Sequence, residues 1–426
     1  MTDDDDDMEA LLGAEIRQRR IAARLSQQRL AARLGVDQGL ISKIENGVKR
    51  PSTALVQAID EALAAGGCLV TMRVEAAEAA PAPAGQRDLS GEEMVLMAAR
   101  RAREFALAHQ GALSEDAMEQ IRDDVRSLAI AYPQRPLPTI LGPLTEAQEA
   151  IFTLLENRQR PQQARELYAL AGVTTGLLAK ASHDLASPRT AMTHARTAFL
   201  CADNADHDAL RSWIRGLQSL IAYWDHRPND ALRYAQLGAT HLSPRSGTVA
   251  VWLPASEARA WAALGNAAET RNAVDRAERA RDDLQDDDLD TMGGICFFSV
   301  ARQLYYAADA LSWLPDETQA AERYGAAAVD AYHDPTRPEW AFGDQAGSHA
   351  GLAHTRVARA ELDGAAEAIG PVLDLPPDRR INGVIHSVQR VHAALVRSTL
   401  AEDPAARDLS ERIEMFARTP AAALGR

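Results

Sequence analysis

Cysteine and lysine are scarce in this chain of 426 residues, three of each, and aromatic residues make up only 5%. The cysteines Cys68, Cys201 and Cys296 lie far apart and in no metal-ligand spacing, so neither a disulfide framework nor a metal site is expected. They read as reduced, buried thiols. No stretch approaches the ~18 uninterrupted apolar residues of a membrane span, and the N-terminus opens on Asp3 to Asp7, not on a basic leader. The expectation is a cytoplasmic chain with no membrane partner. Runs of Val, Ile, Thr and Tyr are missing too, whereas alanine is abundant, which points to an all-α protein.

Catalytic signatures are likewise missing. There is no H-E-x-x-H, no G-x-S-x-G, no P-loop and no dinucleotide-binding glycine pattern. The acidic run from Asp282 to Asp290 lacks the central glycine and terminal glutamate of a calcium loop and reads as a solvated connection. Gly343, Gly347 and Gly351, four apart, suit close helix packing better than phosphate binding. The chain is expected to use no cofactor and no metal and not to be an enzyme.

Charge is unevenly spread. The formal net charge is −14, yet from Met8 to Val70 nine basic residues face six acidic ones, leaving this segment at +3. Two of the three lysines, Lys43 and Lys49, fall inside it. Leu11, Leu12, Ile16 and Ile21 recur at helical spacing in its first part. Ser26 is placed to cap a second helix with Leu30 and Leu34 as its stripe, and Gly35 ends it. Asp37 caps a third helix whose inner face is Leu40, Ile41 and Ile44, and Gly47 closes it. Two short helices joined by a three-residue turn containing glycine make a helix-turn-helix. More helix follows from Ser52, with Leu55, Ile59 and Leu63 as its repeat. Gly39 is the oddity, because glycine in a helix interior costs about 1 kcal/mol relative to alanine.

The run LSQQRLAARLGVDQGLISKIENGVKRPS, from Leu25 to Ser52, resembles the Cro/repressor-type helix-turn-helix of the XRE family of transcriptional regulators, over about Leu11 to Ala65. That resemblance implies a five-helix module whose third helix enters the major groove of double-stranded DNA. Gln38, Gly39, Ser42 and Lys43 would then face base edges. Gln27 would touch the backbone and brace the recognition helix, and Arg17, Lys49 and Arg50 would meet phosphates. Glu45 and Asn46 would lock the helix end and read no bases.

Beyond this module, taken as residues 8–70, a flexible linker is expected over 71–88, where APAPAGQRD falls. A helical adaptor or dimerisation segment follows over 89–162, with helices at Leu89 to His109 and Ser114 to Tyr132 and a break at PQRPLPTILGP before Leu144. From 163 to 418, turn signals recur at Ser187-Pro188, Arg227-Pro228, Gly265-Asn266, Leu314-Pro315, Leu362-Asp363 and Glu402-Asp403. Such spacing marks a helical array of about six hairpins. Alanine ridges such as Ala191, Ala195 and Ala198 alternate with large faces such as Leu210, Ile214, Leu217, Ile221 and Trp224. The stretch from Asp208 to Leu242 resembles tetratricopeptide repeats, which implies a right-handed α-solenoid with a concave wall. Arg215, Gln218, Trp252, Arg302, Tyr306 and His349 are the candidate residues of that groove.

The whole is similar to peptide-responsive quorum-sensing regulators and to actinobacterial regulators that join an XRE module to repeats. The resemblance implies a cytoplasmic, nucleoid-associated homodimer on an inverted-repeat operator, with a peptide or small ligand sensed by the repeats. The rival reading is a DNA-tethered scaffold whose repeats bind a partner protein.

Overall fold

A computed structural model describes residues 3–47, 51–72, 114–243 and 246–423. Lys49, Arg50, the linker core and the helix expected over Leu89 to His109 lie outside the described residues. The chain divides into two units, Met1–Phe105 and Ala106–Arg426. Among the described residues there is no strand.

The first unit holds α1 (Asp3–Ala22), α2 (Gln27–Leu34), α3 (Gln38–Glu45) and α4 (Thr53–Ala62), with a further helix beginning at residue 68. Its caps are local chemistry. The Ser26 hydroxyl accepts from the Arg29 N–H at 3.2 Å, the Asp37 carboxylate from the Gly39 N–H at 2.7 Å, and the Ser52 hydroxyl from the Leu55 N–H at 3.3 Å. Gly35 ends α2 at φ 67°, where a Cβ would be strained. Leu12, Ile16, Ile44, Val56 and Ile59 form one small core, and Leu30, Ala31 and Ile41 fill the angle between α2 and α3. Gly13 lets α1 meet the end of α3, since a Cβ there would collide with the carbonyl of Ile44.

The second unit opens with α5 (Glu115–Ala131) and α6 (Pro138–Glu156). The break expected before Leu144 falls between Ala131 and Pro138, and is shorter than expected, because α6 continues through Pro143. Six antiparallel hairpins follow: α7 (Pro161–Asp184) with α8 (Pro188–Ala205), α9 (Asp208–Trp224) with α10 (Pro228–Ala239), and α11 (Val249–Ala263) with α12 (Ala267–Asp282). The series ends with α13 (Val300–Leu311) and α14 (Thr318–Ala331), α15 (Phe342–Ala358) and α16 (Leu362–Leu373), and α17 (Asn382–Arg397) and α18 (Pro404–Ala417). Each of the six turn signals marks the joint inside one hairpin.

Small residues set the spacing. Ala191, Ala195 and Ala198 on α8, and Ala231 and Ala235 on α10, are completely buried. The first helices of successive hairpins stack aromatic rings on glycines: Trp213 of α9 sits on Gly176 of α7, and Trp252 of α11 on Gly216 of α9. Likewise Tyr305 of α13 sits on Gly347 of α15. A chain poor in aromatic residues thus spends several of them where its inner helices touch.

The acidic run after α12 is exposed at Asp283, Asp286 and Asp288, as a solvated connection should be, but its end departs from that expectation. Asp290 is buried and accepts from the Thr248 N–H at 2.8 Å and from the Thr248 hydroxyl at 2.5 Å. The Thr248 hydroxyl oxygen in turn accepts from the Phe298 N–H at 2.9 Å. The run therefore ties the start of α11 to the segment leading into α13. Burial pushes the Asp290 carboxyl above its usual range, with the Thr248 hydrogen bonds opposing.

Candidate nucleic-acid interface and interior cavity

The outward face of α3 carries Gln38, Gly39 and Lys43, all exposed, with Ser42 partly exposed beside them. Lys43 makes no ion pair among the described residues. The inward face is fixed by a buried polar lock. Glu45 accepts from the Arg20 guanidinium through both oxygens, at 2.5 and 2.8 Å, and from the Gln27 amide at 2.8 Å. Arg20 also donates to the carbonyl of Leu25 at 2.8 Å, just ahead of α2. One carboxylate on α3 is therefore held by α1 and α2 together. Burial alone would raise the Glu45 carboxyl, but the hydrogen bonds from Arg20 and Gln27 outweigh it and hold it below its usual value.

The structure thus puts Gln27 against α3 through Glu45, and leaves Arg17 exposed on α1. Arg20, the second partner of Glu45, has no local sequence signal. It lies 25 residues away, in a helix already rich in arginine. Gly39 has a local reason as well: a Cβ there would come 2.8 Å from the Asp37 carboxylate that caps the helix.

In the second unit the residues expected to form a groove divide into two sets. The inner helices converge on a cavity of about 90 Å³ bordered by Lys180, Asp184, Trp252, Arg259, Arg302 and Tyr306, among others. Three of the six candidate groove residues, Trp252, Arg302 and Tyr306, line it. The other three do not. Arg215 stacks on the Phe199 ring at 3.9 Å and donates to Gln218 at 2.8 Å, and Gln218 is buried against it. The Nδ1 of His349 pairs with the carbonyl of Ala368 on α16 at 2.9 Å. Their displacement is a matter of helical phase: α9 turns Leu217, Leu220 and Trp224 towards the cavity, a different face from Arg215 and Gln218.

Charges missed in the sequence surround this cavity. Arg259, 2% exposed, donates to Asp309 at 2.6 Å, and Arg390 donates to the other Asp309 oxygen at 2.5 Å. The Tyr223 hydroxyl adds a third donor to Asp309 at 2.9 Å. The Arg259 guanidinium lies over the rings of Tyr223 at 4.1 Å and Tyr306 at 4.4 Å. Burial disfavours the charged Asp309, but Arg259 and Arg390 prevail and hold it below the usual carboxylate range. Nearby, Lys180 pairs with Asp184 at 2.6 Å and Arg302 with Asp344 at 2.6 Å. One signal was available in the sequence: Glu257 and Arg259 are the only charges in α11, and Lys180 is the only lysine outside the N-terminal module.

Residues 11–71 match the family model described as a helix-turn-helix domain, and this segment is a domain of that class. The chain therefore carries a DNA-binding type of module at one end and a helical repeat array after it. Among solved structures, PlcR of Bacillus thuringiensis, in complex with the peptide PapR7 and DNA, is similar to it at 15% identity. That match covers 76% of this chain and 95% of PlcR, with a TM-score of 0.29, too low to define a shared arrangement. No curated protein matches the chain.

Proposed function

We propose that this chain is a sequence-specific transcriptional regulator that lays α3 in the major groove, acts as a homodimer on an inverted repeat, and senses a small ligand or peptide through its repeats. The observation that carries the DNA reading is the two-sidedness of α3. Gln38, Gly39 and Lys43 stand free in solvent, while Ile41, Ile44 and Glu45 are buried and tied to α1 and α2. A recognition element needs that combination, because a reader that moves loses the geometry on which base discrimination depends. Gln38, Gly39, Ser42 and Lys43 are the proposed base-facing set, with Arg17, Gln27, Lys49 and Arg50 at the backbone. Dimerisation follows from economy: one small module spans few base pairs, and two half-sites multiply discrimination. The chain acts by binding, not by catalysis.

Genome-wide footprinting tests the reading. A shared two-fold symmetric motif is the expected result, and footprints without a common motif would sink it. Lys43→Ala is expected to weaken operator binding by ~1–3 kcal/mol while sparing random DNA, as a base contact should. Equal losses on both would move Lys43 to the phosphate contacts. The rival, a DNA-tethered scaffold, predicts that the purified chain captures a stoichiometric partner protein.

A further inference from the structure

We propose that the interior cavity of the repeat array binds a compact carboxylate, with Arg259 as the anchoring cation. This deepens the reading of the array as a sensor and rests on it only for the purpose of binding, not for the existence of the site. Three observations converge. First, the Nη2 of Arg259 is buried and has no hydrogen-bond partner, although the residue itself is almost fully inside the protein. Buried polar groups are ordinarily paired, and an orphaned charged donor is the costliest kind. Asp309 does not pair with it: the three donors that Asp309 accepts are the Nε of Arg259, the Nη1 of Arg390 and the Tyr223 hydroxyl. One edge of the guanidinium fork is left over, and a carboxylate oxygen is the group that edge matches.

Second, the lining is electropositive. Arg135, Lys180, Arg259 and Arg302 border the cavity; Asp184 and Asp344 pair with Lys180 and Arg302, while a single carboxylate, Asp309, serves both Arg259 and Arg390. A cationic or neutral guest would leave that excess uncompensated. Third, the rest of the wall is aromatic, including Trp224, Trp252 and Tyr306, which suits a short apolar body. The cavity, about 90 Å³ as traced by the centres of water-sized spheres, exceeds several-fold the ~10–15 Å³ that one water needs on that measure, so a small organic acid fits. The class is therefore a monocarboxylate with a compact apolar body, for which the short-chain acids are the simplest probes.

The test uses the full chain and defined probes. Acetate, propionate and butyrate are titrated by calorimetry or ligand-observed NMR, each against its own amide at matched ionic strength. At least one acid should bind saturably and about tenfold more tightly than its amide, the discrimination expected of one charge-assisted hydrogen bond in a buried site. Arg259→Lys keeps a cation beside Asp309 but removes the fork, and should weaken the acid by about tenfold. Gly383→Val fills the cavity without touching a charge. Gly383 lines it, and a Cβ there would meet the Trp224 ring at an ordinary 3.8 Å, so the variant should fold and lose binding. If Arg259→Lys does not fold, Gly383→Val alone decides. The proposal is overturned if no acid outbinds its amide, or if the folded variants bind the acid as the parent does. Operator affinity measured with and without saturating acid is read separately: an unchanged value removes the sensor reading and leaves the site standing.

Discussion

Gly39 shows how a residue that looks wrong in a helix is explained by its neighbour two positions back. The Asp37 carboxylate folds over the first turn of α3 and occupies the space a Cβ would need. Alanine there would gain about 1 kcal/mol of helix propensity but disturb a cap worth a similar amount. Gly39→Ala alone should therefore leave stability almost unchanged, whereas in an Asp37→Ala background the same substitution should stabilise by about 1 kcal/mol. Urea unfolding of the four members of this cycle checks it, and additive effects would refute the coupling. The caps at Ser26, Asp37 and Ser52 were legible in the sequence because each acts on an amide two or three residues away. The lock on Glu45 was legible only in half. Its role and that of Gln27 came with the family resemblance, but Arg20 is one of several arginines on α1, and only packing selects it.

At the level of elements, the hairpin joints share one backbone solution. After α7, α9, α11 and α15 the chain passes through a left-handed residue, Ala186, His226, Gly265 and Ala360 respectively, at φ between 56 and 75°. The next amide then bonds back to the carbonyl five residues earlier: Ser187 to Ser182, Arg227 to Ala222, Asn266 to Trp261 and Glu361 to Arg356, at 2.8 to 3.0 Å. Only one of the four positions is glycine. Ala186→Gly and Ala360→Gly should each raise stability by roughly 1 kcal/mol, since the left-handed conformation costs a residue with a Cβ about that much. Differential scanning calorimetry checks this, with a lower melting temperature as the contrary result. The same fact explains what could be read beforehand. The Pro, Asn or Asp that starts each second helix marked the joints, but the strained residue before it carries no signature. At Pro143 the rule failed in the other direction: a proline in the second turn of α6 forfeits one backbone bond, and the packed face of Ile140, Leu144, Ala147 and Ile151 holds the helix together regardless.

Across the whole repeat array, buried charge governs the response to acid. Burial pushes His354 from 6.5 down to about 4, and the nearby Arg390 adds to the effect against Asp309. The unfolded chain therefore binds more protons than the folded one between these values, and stability must fall as pH drops from 6.5 towards 4. About 2 kcal/mol should be lost at pH 5 relative to pH 7 from this residue, and His354→Leu should flatten that part of the profile. Identical slopes in parent and variant would contradict it. Asp309 acts at lower pH and in the same direction, since the folded state again favours the deprotonated form. Held below its ordinary 3.8, it contributes stability above that value and loses it as pH falls further. The repeat architecture was legible from alanine ridges and turn spacing, yet the groove was not. Which face of each inner helix turns inward depends on contacts between hairpins far apart in the chain, and no local period encodes them.

Those distant contacts bear on how the protein is made. Arrays of this kind ordinarily gain stability one neighbour at a time, so that a partial chain is already a partial structure. Here Arg390 closes on Asp309 across 81 residues, and His386 stacks with Trp224 from the second hairpin. A nascent chain leaving the ribosome has therefore to hold Asp309 with Arg259 and Tyr223 until the sixth hairpin emerges, and a segment synthesised later completes the interior of those made earlier.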